Sequence, residues 1–252
     1  MKRILAVVIA LVLMCGMLVS CENAEAILEK ADAALLSAPY KVIMKFDFEC
    51  DNEELNEVFS LMNMEVPVTV DGKNIAMDMS MDIAGTTASS KMIVADMVLY
   101  YNIEAMGQVM KMKTTLTDEQ YEEFMDDSNT EMIIEPDDFS EFTIENKDGK
   151  KVIACGKISD EALEDLNELM DESLGVGVVD ASVNELSYSI TISDGKYDAI
   201  DMSCSYSVTS EGETYNVTLN LTAKYSYEGV ERVTVPADAD SYQEWNYTDI
   251  IG

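Results

Sequence analysis

The chain of 252 residues contains no histidine. That absence removes Ser-His-Asp and Cys-His nucleophilic catalysis, histidine-dependent zinc sites, and the side chain that most often moves protons near neutral pH. Basic residues are scarce: 16 Lys and Arg stand against 49 Asp and Glu, a formal charge of −33. Such a surface repels nucleic acid, whose phosphates are bound by Lys and Arg displacing counterions, and it repels anionic lipid headgroups equally. The charge reads as a solubility device at a cell surface before it reads as a cation site. No Cys-x-x-Cys is present. Neither DDSNTE (126–131) nor ADADSYQE (237–244) has the spacing of a calcium loop, and among so many acids the pairs Asp126-Asp127 and Asp137-Asp138 are expected by chance. Ser and Thr side chains have no evident base. The expectation is a protein that is not an enzyme, with no catalytic residue, no metal and no cofactor.

What is present begins at the N-terminus. Lys2 and Arg3 precede the apolar stretch Ile4 to Met14, too short to span a bilayer, and Leu18-Val19-Ser20-Cys21 follows. Basic segment, apolar segment and four-residue box resemble the leader of bacterial lipoproteins. The resemblance implies that residues 1–20 are a signal peptide that is removed, and that Cys21 becomes the first mature residue and carries two or three acyl chains. Each buried CH₂ contributes about 0.8 kcal/mol and a single chain anchors only marginally, so two chains suffice for stable attachment. The expected location is the extracytoplasmic face of the cell membrane, lipid-anchored and not spanning. Loss of Lys2 and Arg3 takes the charge from −33 to −35, so the acyl anchor has to hold the protein against electrostatic repulsion from the membrane. Cys15 leaves with the leader, and Cys50, Cys155 and Cys204 remain beside the acylated Cys21. Three thiols allow at most one internal disulfide, and all three read as apolar side chains in strands.

Residues 22–37 have one apolar helical face, with Ile27, Ala31, Ala34 and Leu35 upon it, ended by Pro39. Val42, Met44, Phe46, Phe48 and Cys50 alternate with polar residues as in a half-buried strand, while 53–63 fits a short helix or a loop. From Val66 the pattern is hairpins. Asp71-Gly72 separates VPVTV from Asn74 to Ile83, and strands near 88–95, 97–103 and 108–115 follow. Thr117 with Gln120 forms a capping box for a helix to about Asp127, bearing Tyr121, Phe124 and Met125 on one face. Asp148-Gly149 turns between 142–146 and 151–157, and Ser159 caps a helix to about Leu174, with Leu163, Leu166, Leu169 and Met170 on one side and Gly175 at its end. Strands near 185–193, 197–208, 214–226 and 230–235 complete a meander with one wetted face. The tail with the single Trp, Trp245, either folds back onto the sheet or stays free. The sequons at Asn216, Asn220 and Asn246 are not read as glycosylated, given the bacterial leader.

The fold class is α+β: a large curved antiparallel β-sheet, half-barrel-like, packed on a few helices. No repeat, linker or composition break divides it, so residues 21–252 are expected to be a single domain. The helix behind the lipobox (ILEKADAALLSAPYKV), Asp96-Met-Val-Leu-Tyr-Tyr101 and the terminal Val233-Thr-Val-Pro236 together resemble the LolA/LppX-like lipid-carrier lipoproteins. The resemblance implies a curved sheet wrapped on helices, with space for acyl chains between them.

Methionine is the sharpest local signal. Met62-x-Met64, Met77-x-Met79-x-Met81 and Met110-x-Met112 place thioethers on common strand faces. They read first as core filling, then as the wall of an apolar cavity, and last as copper(I) ligands. Met77, Met79, Met81, Met110 and Met112 are the candidate cavity wall. The expected function is a membrane-anchored lipoprotein that binds or carries a lipid or other hydrophobic ligand without chemistry. The alternative is a surface interaction or sensor module with a filled core and no ligand. Expected partners are the membrane through Cys21 and a hydrophobic ligand, with no nucleic acid.

Overall fold

A computed structural model describes residues 24–61, 63–83, 86–127, 142–155, 159–160, 163–164, 167, 180–210 and 213–246. The leader, Cys21, Met62, Asp137-Asp138 and most of the helix expected after Ser159 lie outside the described residues. The observed class is the expected one: a large open antiparallel sheet with few helices. Its elements in chain order are helix α1 (Ala24–Ser37), β1 (Tyr40–Cys50), α2 (Glu53–Ser60), β2 (Met64–Asp71), β3 (Asn74–Ile83), β4 (Thr86–Ala95), β5 (Val98–Ala105), β6 (Gln108–Thr115), α3 (Asp118–Asp127), β7 (Phe142–Lys147), β8 (Lys150–Cys155), β9 (Asp180–Ser193), β10 (Lys196–Ser210), β11 (Glu213–Ser226) and the two-residue β12 (Gln243–Glu244). No described helix is long and apolar enough to cross a membrane.

The twelve strands lie in the order β12-β6-β5-β4-β3-β2-β1-β11-β10-β9-β8-β7. Two up-and-down meanders, β1–β6 and β7–β11, are therefore fused where the first strand pairs antiparallel with the eleventh, Val42 opposite Tyr225 and Phe46 opposite Leu221. Four hairpins turn through two residues that both have positive φ: Asp96-Met97, Met106-Gly107, Asp148-Gly149 and Asp194-Gly195. Such turns follow the right-handed twist of the strands they join. Met97 sits in one of them at φ 63°, which is why β5 starts at Val98 and not at 97.

Directly opposed residues, and those two apart along a strand, share a face. On one face α1 lays Leu28 and Ala31 over Ile153, Leu186 and Ile190, forming one core. On the same face α3 brings Tyr121 and Phe124 over Val68, Ile75, Val94 and Leu99, forming a second. The capping box at α3 closes reciprocally. The Gln120 N–H donates to Thr117 Oγ1 at 3.1 Å, and the Thr117 N–H donates to Gln120 Oε1 at 3.0 Å.

The tail covers part of the opposite face. Val233 and Tyr242 pack on Ile93, Ala95 and Tyr100, with the Tyr100 and Tyr242 rings edge to face at 5.3 Å. Lys111 donates to the Asp238 carboxylate, and Gln243 and Glu244 pair parallel with Met112 and Lys113 at the β6 edge. The tail thus folds back. The strand expected at 230–235 does not form: Val233 is buried, but this segment crosses the sheet face and has no strand ladder. Of its alternating valines only Val233 packs on the sheet face, and Val235 is exposed.

Register also settles the cysteines. Cys50 on β1 and Cys204 on β10 are separated by β11, and Cys204 and Cys155 on β8 are separated by β9. Two strand spacings are about 9.5 Å, beyond the roughly 7 Å that a disulfide can bridge. Cys50 and Cys204 are free and half-buried.

Candidate functional site

Between the two cores the helix-bearing face carries a band of large apolar side chains that neither core closes. The register sets Met64, Phe46, Leu221 and Met202 side by side across β2, β1, β11 and β10. The next row is Phe48, Leu219 and Cys204. All seven are only half-buried, whereas Leu28, Ile153, Val68 and Ile190 in the flanking cores are fully buried. A strand pairing places these residues together with no further requirement. Each alternates with a polar neighbour, such as Lys45, Asp47 or Ser203, which faces the other way.

One end of the band is shaped by the β1–β2 connection. β2 begins only at Met64, so the last residues of β1 lack a strand neighbour on that side. Side chains from the α2 region take over: the Phe48 N–H donates to Asn63 Oδ1 at 2.6 Å and the Cys50 N–H to Asn56 Oδ1 at 2.8 Å. Asn52 starts α2, its Oδ1 accepting the Leu55 N–H at 3.0 Å. Toward the other end, Tyr40, Tyr197 and Tyr225 stack with ring centroids 5.6–6.2 Å apart. The Tyr197 hydroxyl donates to Asp32 of α1 at 2.9 Å, and Lys196 lies 4.9 Å from the Tyr227 ring centre. Burial pushes the phenols of Tyr40 and Tyr227 up to about 12, and raises Tyr197 and Tyr225 as well.

The wall carries no charge. Burial raises the Cys204 thiol, keeping it protonated and a poor nucleophile. Burial also raises the neighbouring Tyr206, with Cys204 and Cys50 adding smaller contributions. Such a surface can take up apolar chain and offers nothing for proton transfer. Among the described residues no three His, Cys, Asp or Glu side chains converge to hold a metal ion.

The five methionines expected to line a cavity share one sheet face, as their register shows: Met77 lies opposite Met92, Met92 opposite Tyr101, and Tyr101 opposite Met112. Their surroundings differ. Met77 and Met79 are half-buried against the second core, Met112 is buried, and Met110 is exposed near the β5–β6 turn. Met81 continues the row on β3, its side chain outside the description. Met44, Phe46, Phe48, Met92, Met202, Leu219 and Leu221 were not among the expected wall residues. Alternation within β1 marks Met44, Phe46 and Phe48 as one face, but only the β1–β11 pairing brings Leu219, Leu221 and Met202 beside them.

No curated protein matches the chain. A family model covers nearly all of the described region, matching residues 23–244, so the chain belongs to a family of unknown function, DUF6612.

Proposed function

We propose that the protein is a lipid-anchored extracytoplasmic lipoprotein that holds a hydrophobic ligand, an acyl lipid, against the half-buried band, with no chemistry performed on it. The observation that carries this reading is the band itself: six large uncharged side chains and Cys204 in two adjacent rows, short of full burial, lying between two well-filled cores. A filled core leaves such residues inaccessible. Incompletely covered apolar surface costs roughly 25 cal/mol per Å² left in contact with water, which an acyl chain would recover on binding. Methionine, unbranched and polarizable, suits a wall that must adapt to chains of different length. The leader and Cys21 support the anchored location, and lipid carriage is the function implied by the resemblance to the LolA/LppX-like carriers.

Native mass spectrometry of the full chain carrying Cys21→Ala, purified from lipid-rich extract, tests it. The expected spectrum contains adducts of fatty-acid or phospholipid mass that Phe46→Glu removes, since a carboxylate in the band is costly to desolvate against an acyl chain. Bare polypeptide mass alone, in gentle conditions that preserve known lipid complexes, counts against it. Membrane fractionation tests the tether separately: Cys21→Ala should move the protein from the membrane to the soluble fraction.

A further inference from the structure

The opposite face of the C-terminal meander has different chemistry. Over β8 to β11 small side chains leave a depression of about 420 Å³, lined chiefly by Ser187, Ser189, Asp201, Ser203, Asn220 and Thr222. Pairing aligns these residues in two adjacent rows across the strands. Ala154, Ser189, Asp201 and Thr222 are successive neighbours, and so are Ser187, Ser203 and Asn220. The long axis therefore crosses four strands, about 14 Å at roughly 4.8 Å per step.

The hydrogen bonds within the depression leave polar capacity over. Thr222 Oγ1 donates to one carboxylate oxygen of Asp201 at 2.9 Å, and Ser203 Oγ donates to Asn220 Oδ1 at 2.9 Å. That leaves the second Asp201 oxygen as acceptor and the Asn220 amide as donor. Ser187 and Ser189 side chains make no hydrogen bond among the described residues. Farther along the same face Ser205 and Thr218 likewise make no side-chain hydrogen bond among the described residues, while the polar groups beyond them are engaged with one another. Asn184 donates to Ser207, Ser207 to Asn216, and Asn216 to Asp51 at 2.7 Å.

We propose that this depression binds an extended uncharged glycan, laid across the strands. Hydroxyls that donate and accept, a free carboxylate oxygen and a free amide, repeating at the strand spacing, match the alternating donors and acceptors along a β-1,4-linked sugar chain, whose rise per sugar is close to that spacing. The charge of −33 disfavours nucleic acid and anionic polymers. No aromatic ring lines the depression, so recognition rests on hydrogen bonds and chain length. The polar side chains of this site point to the other side of the sheet from the apolar band, and Met202 and Leu221 border both.

The probe is the β-1,4-linked N-acetylglucosamine trisaccharide, titrated into the full chain carrying Cys21→Ala while backbone amides are followed by NMR. Saturable shifts are expected at residues 187–189, 201–203 and 220–222, with the single sugar binding at least tenfold more weakly. Ser189→Leu fills the depression and should weaken the trisaccharide at least tenfold, about 1.4 kcal/mol. Asp201→Asn, which keeps the shape, should weaken it as well, and serves if the leucine variant does not fold. The absence of saturable shifts at these amides overturns the proposal, and so does undiminished binding by a folded Ser189→Leu or Asp201→Asn variant.

Discussion

The two meanders cover the same sheet face with different kinds of side chain. Over β8–β10, α1 buries Leu28 against Ile153, Leu186, Ile190 and Tyr197, all essentially inaccessible. Over β1–β5 Val68, Val94 and Leu99 under α3 are equally closed, but Met44, Met64, Met77, Met79 and Met92 on the same face remain half-buried. Branched and aromatic residues have few rotamers and fix one packing. Methionine has three rotatable bonds and does not. One part of the molecule is specified for rigidity and the other for accommodation, within one continuous sheet.

The largest test of that contrast is alkaline pH, because the phenols concentrate on the α1 side. An unfolded tyrosine ionises near 10, while Tyr40 and Tyr227 are raised to about 12 and Tyr197 and Tyr225 are raised also, burial leading in every case. A folded state that keeps its protons longer than the unfolded one loses stability as pH rises. The contribution is complete below pH 10 and is lost as pH climbs toward and past 12. Circular dichroism and phenolate absorbance recorded together should show cooperative unfolding in this window, with Tyr225→Phe shifting it upward. Phenols that titrate near 10 without loss of structure would show that the α1 side is open.

Next in size is truncation on the two sides. Leu28→Ala should cost about 2–5 kcal/mol by urea denaturation, the range for cavity formation in a rigid core. Met77→Ala should cost near or below the bottom of that range, because a half-buried site among flexible neighbours relaxes around the loss. Equal costs would mean that the methionine side is packed as tightly as the other, which removes the basis for a ligand there.

Most of the fold was legible because it is local. Asp148-Gly149 and Asp194-Gly195 mark turns through residues that accept positive φ, and the alternation in β1 survives in its pairing register, which keeps Val42, Met44, Phe46 and Phe48 on one face. The failures are equally physical. Met97 carries no turn signal, yet the tight β4–β5 connection forces it to positive φ. Val233 and Val235 alternate like a strand, but only tertiary packing decides whether an extended segment pairs at an edge or crosses a face, and here Tyr242 and Val233 find Tyr100 and Ile93. The band was half legible. Phe46 and Phe48 stand out by alternation within β1, whereas Leu221 and Met202 become their neighbours only through the pairing of β1 with β11, separated by some 170 residues of chain.

The smallest test concerns the cover over the accommodating side. α3 is ten residues long, too short to be stable alone in water, and relies on its capping box and on Tyr121 and Phe124. Thr117→Ala removes the hydroxyl that accepts the Gln120 N–H and should cost about 1 kcal/mol. Hydrogen exchange separates two outcomes. If the meanders yield independently, amides of 118–121 exchange faster while those of α1 and β9 keep their protection, and the half-buried methionines of the α3 core gain access to apolar dyes. If protection falls equally in α1, the sheet opens as one cooperative unit. The difference between its two sides would then be one of composition without a difference in local stability, since the β1–β11 ladder would be transmitting every loss on one side to the other.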